Sequence, residues 1–314
     1  MIPNYRHLFV GYSNDIYYRL HGSSGGVGTT LLHYLLETRE VDGVIAVGFD
    51  EKNKTQAVYK FIDDPSQITQ LSGSKYVYMS LAPLLKLLQR YSLKKLAVVV
   101  EPCFVKAVRK MAPHCKYVIS FFCGYNMEYE GTRYLLKKSR IPERDITAIG
   151  YRDGKYPGGF TVYARNGSLR NFGKPSYELV NLMFLREGCH KCRLYIAPDA
   201  DIVLGDAWLK GVKNESVVLA HTSAGDTLLK EMHQKNLLTL YDLNREELLR
   251  MHRHNLKYKT YGHSPAMLAV VKLFNNHFAR RFAPFYFFSF LSRIRRFFMY
   301  GINMRLHPTR HYKT

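Results

Sequence analysis

The chain has 314 residues, 46% of them hydrophobic and 23% charged, which excludes a disordered protein and leaves room for one large or two medium domains with ample core. Its 46 Lys and Arg against 25 Asp and Glu give a formal net charge of +21, which points to a polyanionic partner: anionic lipid, nucleic acid or a phosphorylated cofactor. Five cysteines is an odd number, and no run reaches the roughly 18 apolar residues of a membrane span, so neither a disulfide framework nor a transmembrane protein is expected. The charge is uneven, because no Asp or Glu follows Glu247 while Lys, Arg and His continue to the end. Met1 to Arg6 lead into a polar segment without an apolar h-region, so a cytoplasmic, reducing setting is expected.

Residues 9–20 are mixed and carry little pattern. Then His21-Gly22-Ser23-Ser24-Gly25-Gly26-Val27-Gly28-Thr29-Thr30 runs into an apolar helical stretch, 31–36. A Gly/Ser-rich loop at a helix N-terminus exposes backbone N–H groups and suits phosphate; an ordinary flexible loop is the bland alternative. Residues 41–48 read as a turn and a short buried strand, 56–61 as a partly exposed strand, and Asp64-Pro65 opens a small helix to near Leu71. Ser72-Gly73-Ser74-Lys75-Tyr76 is a second polar turn, with Lys75 able to meet an anion and Tyr76 able to flank a ring.

A helix over 81–91 precedes a buried strand over 94–100 that ends at Glu101-Pro102-Cys103, and 104–111 is helical. After Cys115 the pattern repeats: a strand over 116–122 ends at Cys123-Gly124, and a helix spans about 127–138. Ligands of α/β sheets bind at the carboxyl ends of strands, so both cysteines should reach one sheet edge, about 5–10 Å apart if the strands are neighbours. A strand over 145–152, a turn over 153–159 and a returning strand over 160–165 follow, with Asn166-Gly167 as the next hairpin signal. A helix over 176–185 leads to a C-x-x-C turn, Cys189 and Cys192, and then to a buried strand over 200–206. A strand over 216–222, a helix over 224–234 and a helix capped by Asn244 with Glu247 complete the body. The tail, 285–298, is rich in aromatic and Arg side chains; it reads either as a basic interfacial helix on anionic lipid or as a helix docked on protein. No nucleic-acid-binding module is recognised.

Cys103, Cys123, Cys189 and Cys192 thus make four thiols, two from strand ends and two from a tight turn. Four thiolates are what a [4Fe–4S] cluster needs and equally what a structural zinc needs, and the spacing does not choose. Free cysteines are also common core residues, and Cys115, without a strand-end setting, reads as a buried spectator.

Taken together, these pieces carry a resemblance. Ser24-Gly25-Gly26-Val27, Val41-Asp42-Gly43-Val44, Gly73-Ser74-Lys75-Tyr76, Pro102-Cys103, Phe122-Cys123-Gly124, Tyr151-Arg152 with Pro157-Gly158, Cys189-x-x-Cys192 and Ala200-Asp201-Ile202 with Gly205-Asp206 come in family order. Over residues 20–235 the chain resembles the beta-subunit family of coenzyme F-420 hydrogenases and dehydrogenases, flavin iron–sulfur proteins that include 7-hydroxymethyl chlorophyll a reductase. The resemblance implies FAD and one [4Fe–4S] cluster beside it. A flavin takes two electrons and releases them singly, so a cluster is its natural outlet. Carried over, the resemblance implies that Ser23, Ser24, Gly25, Gly26, Val27, Thr29, Ser74, Lys75 and Tyr76 hold the cofactor, and that Cys103, Cys123, Cys189 and Cys192 ligate iron. The chain departs from the family in lacking a ferredoxin-type cysteine run, in Glu101 before Pro102-Cys103 and in Phe104 after it. Further clusters would sit on a partner.

The expected fold is α/β, with mixed sheets flanked by helices. A cofactor-binding domain is expected over 1–93, a larger cluster-bearing domain over 94–241 and a basic aromatic helical extension over 242–314. The expected function is a flavin- and [4Fe–4S]-dependent oxidoreductase. It would pass electrons between a ferredoxin or deazaflavin carrier and a small or lipid-linked organic substrate, in the cytoplasm or peripherally on a membrane's inner face, with cell-surface polysaccharide synthesis as one setting. Lys75 and Asp206 are the candidate catalytic proton donors. The rival is a redox-inactive, membrane-peripheral scaffold of a polysaccharide pathway.

Overall fold

Strands that are apolar at every position have to be buried on both faces, and that requirement builds the main sheet. The computed structural model describes residues 2–154, 158–208 and 214–262. In chain order these form β1 (His7–Ser13), α1 (Ile16–His21), α2 (Val27–Glu37), β2 (Gly43–Phe49), β3 (Ala57–Ile62), a 3-10 turn (Pro65–Leu71), α3 (Leu81–Arg90), β4 (Leu96–Val100), α4 (Pro102–Met111), β5 (Cys115–Phe121) and α5 (Tyr129–Ser139). Then come β6 (Ile146–Asp153), β7 (Gly159–Ala164), β8 (Leu169–Gly173), α6 (Lys174–Met183), α7 (Glu187–Lys191), β9 (Ile202–Asp206), β10 (Ser216–Ala220), α8 (Ser223–Gln234), β11 (Leu238–Asp242) and α9 (Arg245–Tyr261).

Eight strands form one mixed sheet in the order β11-β1-β10-β9-β5-β4-β2-β3. The four inner strands β9, β5, β4 and β2 run parallel, and antiparallel strands flank them on both sides. Side chains alternate across each strand. Val44 and Ala97 therefore join the core of Leu31, Leu35 and Leu229, from α2 and α8. Their neighbours Ile45 and Val98 join the opposite core of Leu84, Leu88, Val105 and Leu248, from α3, α4 and α9. Leu31 and Leu35 have no exposed surface, and each such burial stabilises by about 1.5–3 kcal/mol.

β6, β7 and β8 form a separate antiparallel sheet that packs α5 and α6 around Tyr151, Phe160 and Tyr177. The expected division at residue 93 falls between α3 and β4, and across it β2 and β4 pair in the main sheet. Two strands carry little sequence signal: β1 and β11, which pair with each other. The C-x-x-C segment is a short helix, α7, with Cys192 at its C-cap. The expected extension is described only through α9, and the aromatic, Arg-rich stretch lies outside the described residues. Among the described residues, no helix is long and apolar enough to cross a membrane.

Candidate functional site

The carboxyl ends of all four parallel strands open into one cavity of about 280 Å³, lined by Val47, Val99, Phe121 and Asp206 among others. This is the edge where α/β sheets bind ligands. Two loops close its other side, and they are locked together. Ser23 Oγ accepts from the Ser74 backbone N–H at 2.6 Å, and the Thr29 and Ser72 hydroxyls lie 3.1 Å apart. Helix α2 starts here at Gly26, with φ at 74° and no side-chain cap. A Cβ at Gly26 would stand 2.5 Å from the Tyr18 carbonyl oxygen, so only glycine fits this left-handed corner. The uncapped N-terminus turns positive dipole ends toward the cavity.

Of the cofactor-binding candidates, Ser23, Ser24, Gly26, Val27, Thr29, Ser74, Lys75 and Tyr76 line this cavity. Gly25 does not; its N–H donates to Ser216 Oγ at 2.9 Å, and a Cβ there would meet the Gly11 carbonyl oxygen at 2.6 Å. A second cavity of about 320 Å³, lined by Gly22, Lys75, Arg152 and Gly158, shares the walls Ser23 and Ser74 with the first.

Lys75 is committed to the loop. Its ammonium donates to the carbonyls of Leu71, Ser72 and Gly73 at 2.9, 2.7 and 3.1 Å. Burial and the Lys60 charge pull it down to about 7, although the side chain keeps some surface; three carbonyl acceptors favour the ammonium, and we take it as charged. Asp206 is also held: Arg152 Nη1 donates to both its oxygens, at 2.7 and 2.6 Å. Arg152 is on β6 and Asp206 on β9, so the pair joins the two sheets beside Tyr76.

Hydrogen bonds tie together the segments that carry the thiols. Cys103 and Cys123 follow the adjacent strands β4 and β5. The Cys123 N–H donates to the Tyr195 carbonyl at 3.0 Å, and the Arg186 N–H donates to the Asn126 carbonyl at 3.1 Å, so the turn after β5 straddles α7. From α9, Tyr258 Oη donates to the Cys189 carbonyl at 3.0 Å. Burial pushes the Cys103 thiol up to about 12, with Glu101, Cys192 and Cys189 adding to it. Burial also raises Cys123, opposed by Lys259 and reinforced by Cys189, Glu101 and Cys103. Charge on Cys189 or Cys192 would thus raise Cys103, and charge on Cys189 or Cys103 would raise Cys123. Among the described residues, no three His, Cys, Asp or Glu converge tightly enough to hold one metal ion. Cys115 is buried in the core away from this group.

Asn126 lines the main cavity and Arg152 the second one, and neither stood out as a site residue in the sequence beyond the place of Arg152 in a motif. Fold and cavity together define a class: an α/β protein with a cavity at the carboxyl edge of its parallel strands. The chain belongs to the coenzyme F420 hydrogenase/dehydrogenase beta-subunit family, matching its N-terminal part over residues 8–88 and its C-terminal part over 93–246. It is 25% identical to the coenzyme F420 hydrogenase subunit beta of Methanococcus voltae, over 75% of this chain and 84% of that one. It is 26% identical to the coenzyme F420-dependent sulfite reductase of Methanocaldococcus jannaschii over 74% of this chain, but spans only 38% of that enzyme. A chain of the F420-reducing [NiFe] hydrogenase complex from Methanosarcina barkeri shares the fold, with a TM-score of 0.65 at 20% identity over 83% of this chain and 93% of that one.

Proposed function

We propose that this chain is a flavin- and [4Fe–4S]-dependent oxidoreductase subunit that passes electrons between a reduced carrier, a deazaflavin or a ferredoxin, and an organic substrate, with a cell-surface saccharide intermediate as the substrate class. One observation supports the reading: an aromatic-walled groove at the parallel sheet edge is lined by Cys123, whose thiol is influenced by Cys103 and Cys189.

The residues fit both groups. The uncapped start of α2 suits phosphate, and Tyr76, Phe122 and Tyr125 supply walls for a planar ring. Burial disfavours the thiolates of Cys103, Cys123 and Cys189, so these thiols need a cationic group to become ligands. An iron–sulfur cluster takes one thiolate per iron, so its ligands stand farther apart than four sulfurs around one zinc; thiols spread over three elements suit the cluster. When bound, the flavin would supply hydride exchange with an organic carrier or substrate, and the cluster would supply single-electron transfer. The chain's own work is positional. Lys75 stiffens the 71–75 turn, and Arg152 with Asp206 fixes the far wall. Cys103, Cys123, Cys189 and Cys192 would hold the cluster against the groove.

The test mixes anaerobically purified protein with reduced coenzyme F420. Bleaching of flavin absorbance coupled to oxidation of the carrier is expected. A colourless, zinc-bearing or metal-free protein that leaves the carrier reduced would support the scaffold instead.

A further inference from the structure

Helix α9 ends on the C-x-x-C segment. Tyr258 Oη donates to the Cys189 carbonyl at 3.0 Å, and Arg193, next to Cys192, donates from Nη1 to the Lys259 carbonyl at 3.4 Å. Gly262 stops the helix there with φ at 81°, its N–H donating to the Tyr258 carbonyl at 2.7 Å. A lysine near the end of a helix ordinarily reaches into water and complements the helix dipole, and Lys257 is exposed in that way. Lys259 is not: only 4% of its surface is exposed. Among the described residues no carboxylate pairs with it. A buried cation without a counter-charge is costly, so the fold has to bring it an anion.

The groups beside it are thiols. Burial raises both Cys123 and Cys189; of the charges acting on either, Lys259 has the largest effect, and it lowers both. The Asn126 backbone also lowers Cys189, and Arg186 does so more weakly. At Cys103 the largest charge effect comes instead from Glu101, which raises it. The thiol site thus lies between a cation from α9 and a carboxylate from the end of β4. An iron–sulfur cluster becomes more negative on taking up an electron, and the charges beside it set its potential, so a cation held out of water favours the reduced form. Lys259 lies beyond residue 246, where the match to the family ends.

We propose that Lys259 is the buried counter-charge of this thiol site, placed to balance negative charge on Cys123 and Cys189 and to hold the site's reduction potential up when it carries a cluster. It acts through the cysteines as a positioning residue and contributes a fixed charge. The inference deepens the proposed function and rests on it for the cluster alone; the counter-charge role stands without it.

The test uses the full chain purified without oxygen, with Lys259→Met and Lys259→Gln, which remove the charge, and Lys259→Arg, which keeps it. In a dye-mediated titration the reduced dye gives one electron to the cluster, and the paramagnetic signal of the reduced form is followed. Each neutral variant should be harder to reduce by about tenfold or more, a downward shift of about 59 mV for one electron, with iron content unchanged. Lys259→Arg should stay within about threefold of the parent. A neutral variant with full iron and an unmoved potential overturns the inference, and so does Lys259→Arg shifting as far as Lys259→Met. A second measurement needs no cluster. In metal-free protein at about pH 8, iodoacetamide should alkylate Cys123 and Cys189 about tenfold more slowly in the neutral variants, because it reacts with thiolate, and Cys103 should change less. Unchanged rates overturn the inference. Loosened packing would instead speed all the thiols, the buried Cys115 included, and that result overturns it too. Iron content of the parent separates the two ideas: a parent without iron sinks the redox reading, while the alkylation rates still decide the role of Lys259.

Discussion

Arg152→Met puts the junction of the two sheets to a direct test. The guanidinium side chain is 7% exposed and its partner Asp206 21%, so little water can replace the lost contact. Two charge-assisted hydrogen bonds disappear, at 2.7 and 2.6 Å, each worth about 1.5–3 kcal/mol. Breaking one side of a buried pair costs about 3–5 kcal/mol, because the other charge is stranded. The two routes agree on about 3–5 kcal/mol. At about 2–4 °C per kcal/mol, thermal unfolding followed by circular dichroism should shift down by about 6–20 °C. Adding Asp206→Leu removes the stranded carboxylate, so the double variant should recover more than half of that loss. A single variant costing under about 1 kcal/mol, or two losses that simply add, would refute the reasoning.

Replacing Lys75 by Met strips three carbonyls of their donor; a loss of about 2–4 kcal/mol and weaker flavin retention are expected, checked by urea unfolding and by flavin released on dialysis. His252 is held down to about 4 by burial, against the pull of Asp206. The unfolded chain takes up that proton near pH 6.5 while the native state does not, so stability should fall as pH drops from about 6.5 to about 4, by on the order of 3 kcal/mol, and His252→Gln should flatten that window. Glu101 runs the other way: burial raises it to about 7, with the Tyr59 hydroxyl opposing. Its stability contribution is full below about pH 4.3 and is lost as pH rises through about 7, so Glu101→Gln should unfold later than the parent at pH 8 and match it near pH 4.

The parallel core was legible because β2, β4 and β5 are apolar runs that only a doubly covered sheet can bury. The edge region was not. β1 holds apolar residues without a clean period, and its strand character comes from β10 and β11, which lie at the far end of the chain. The Gly/Ser loop, expected to hold a cofactor, lines the main cavity, but Gly25 serves backbone packing against Ser216 and Gly11. Lys75 read as an anion ligand because a cation in a polar turn has no visible partner in sequence; folding spends its three donors on carbonyls of its own turn. Arg152 lies at the end of a strand just before a turn, and only the approach of β6 to β9 makes it a buried cation. His252, Asn255 and Tyr258 lie beyond the family match at 246, on α9, and bond to Tyr195 and to the Cys189 carbonyl.

Iron, acid-labile sulfide and flavin, counted per chain in protein purified without oxygen, decide the matter most directly. About four iron, about four sulfide and one flavin are expected, with iron falling to near zero in Cys103→Ser and Cys189→Ser variants. Bound zinc in place of iron, or iron that survives both substitutions, would contradict a cluster held by these thiols.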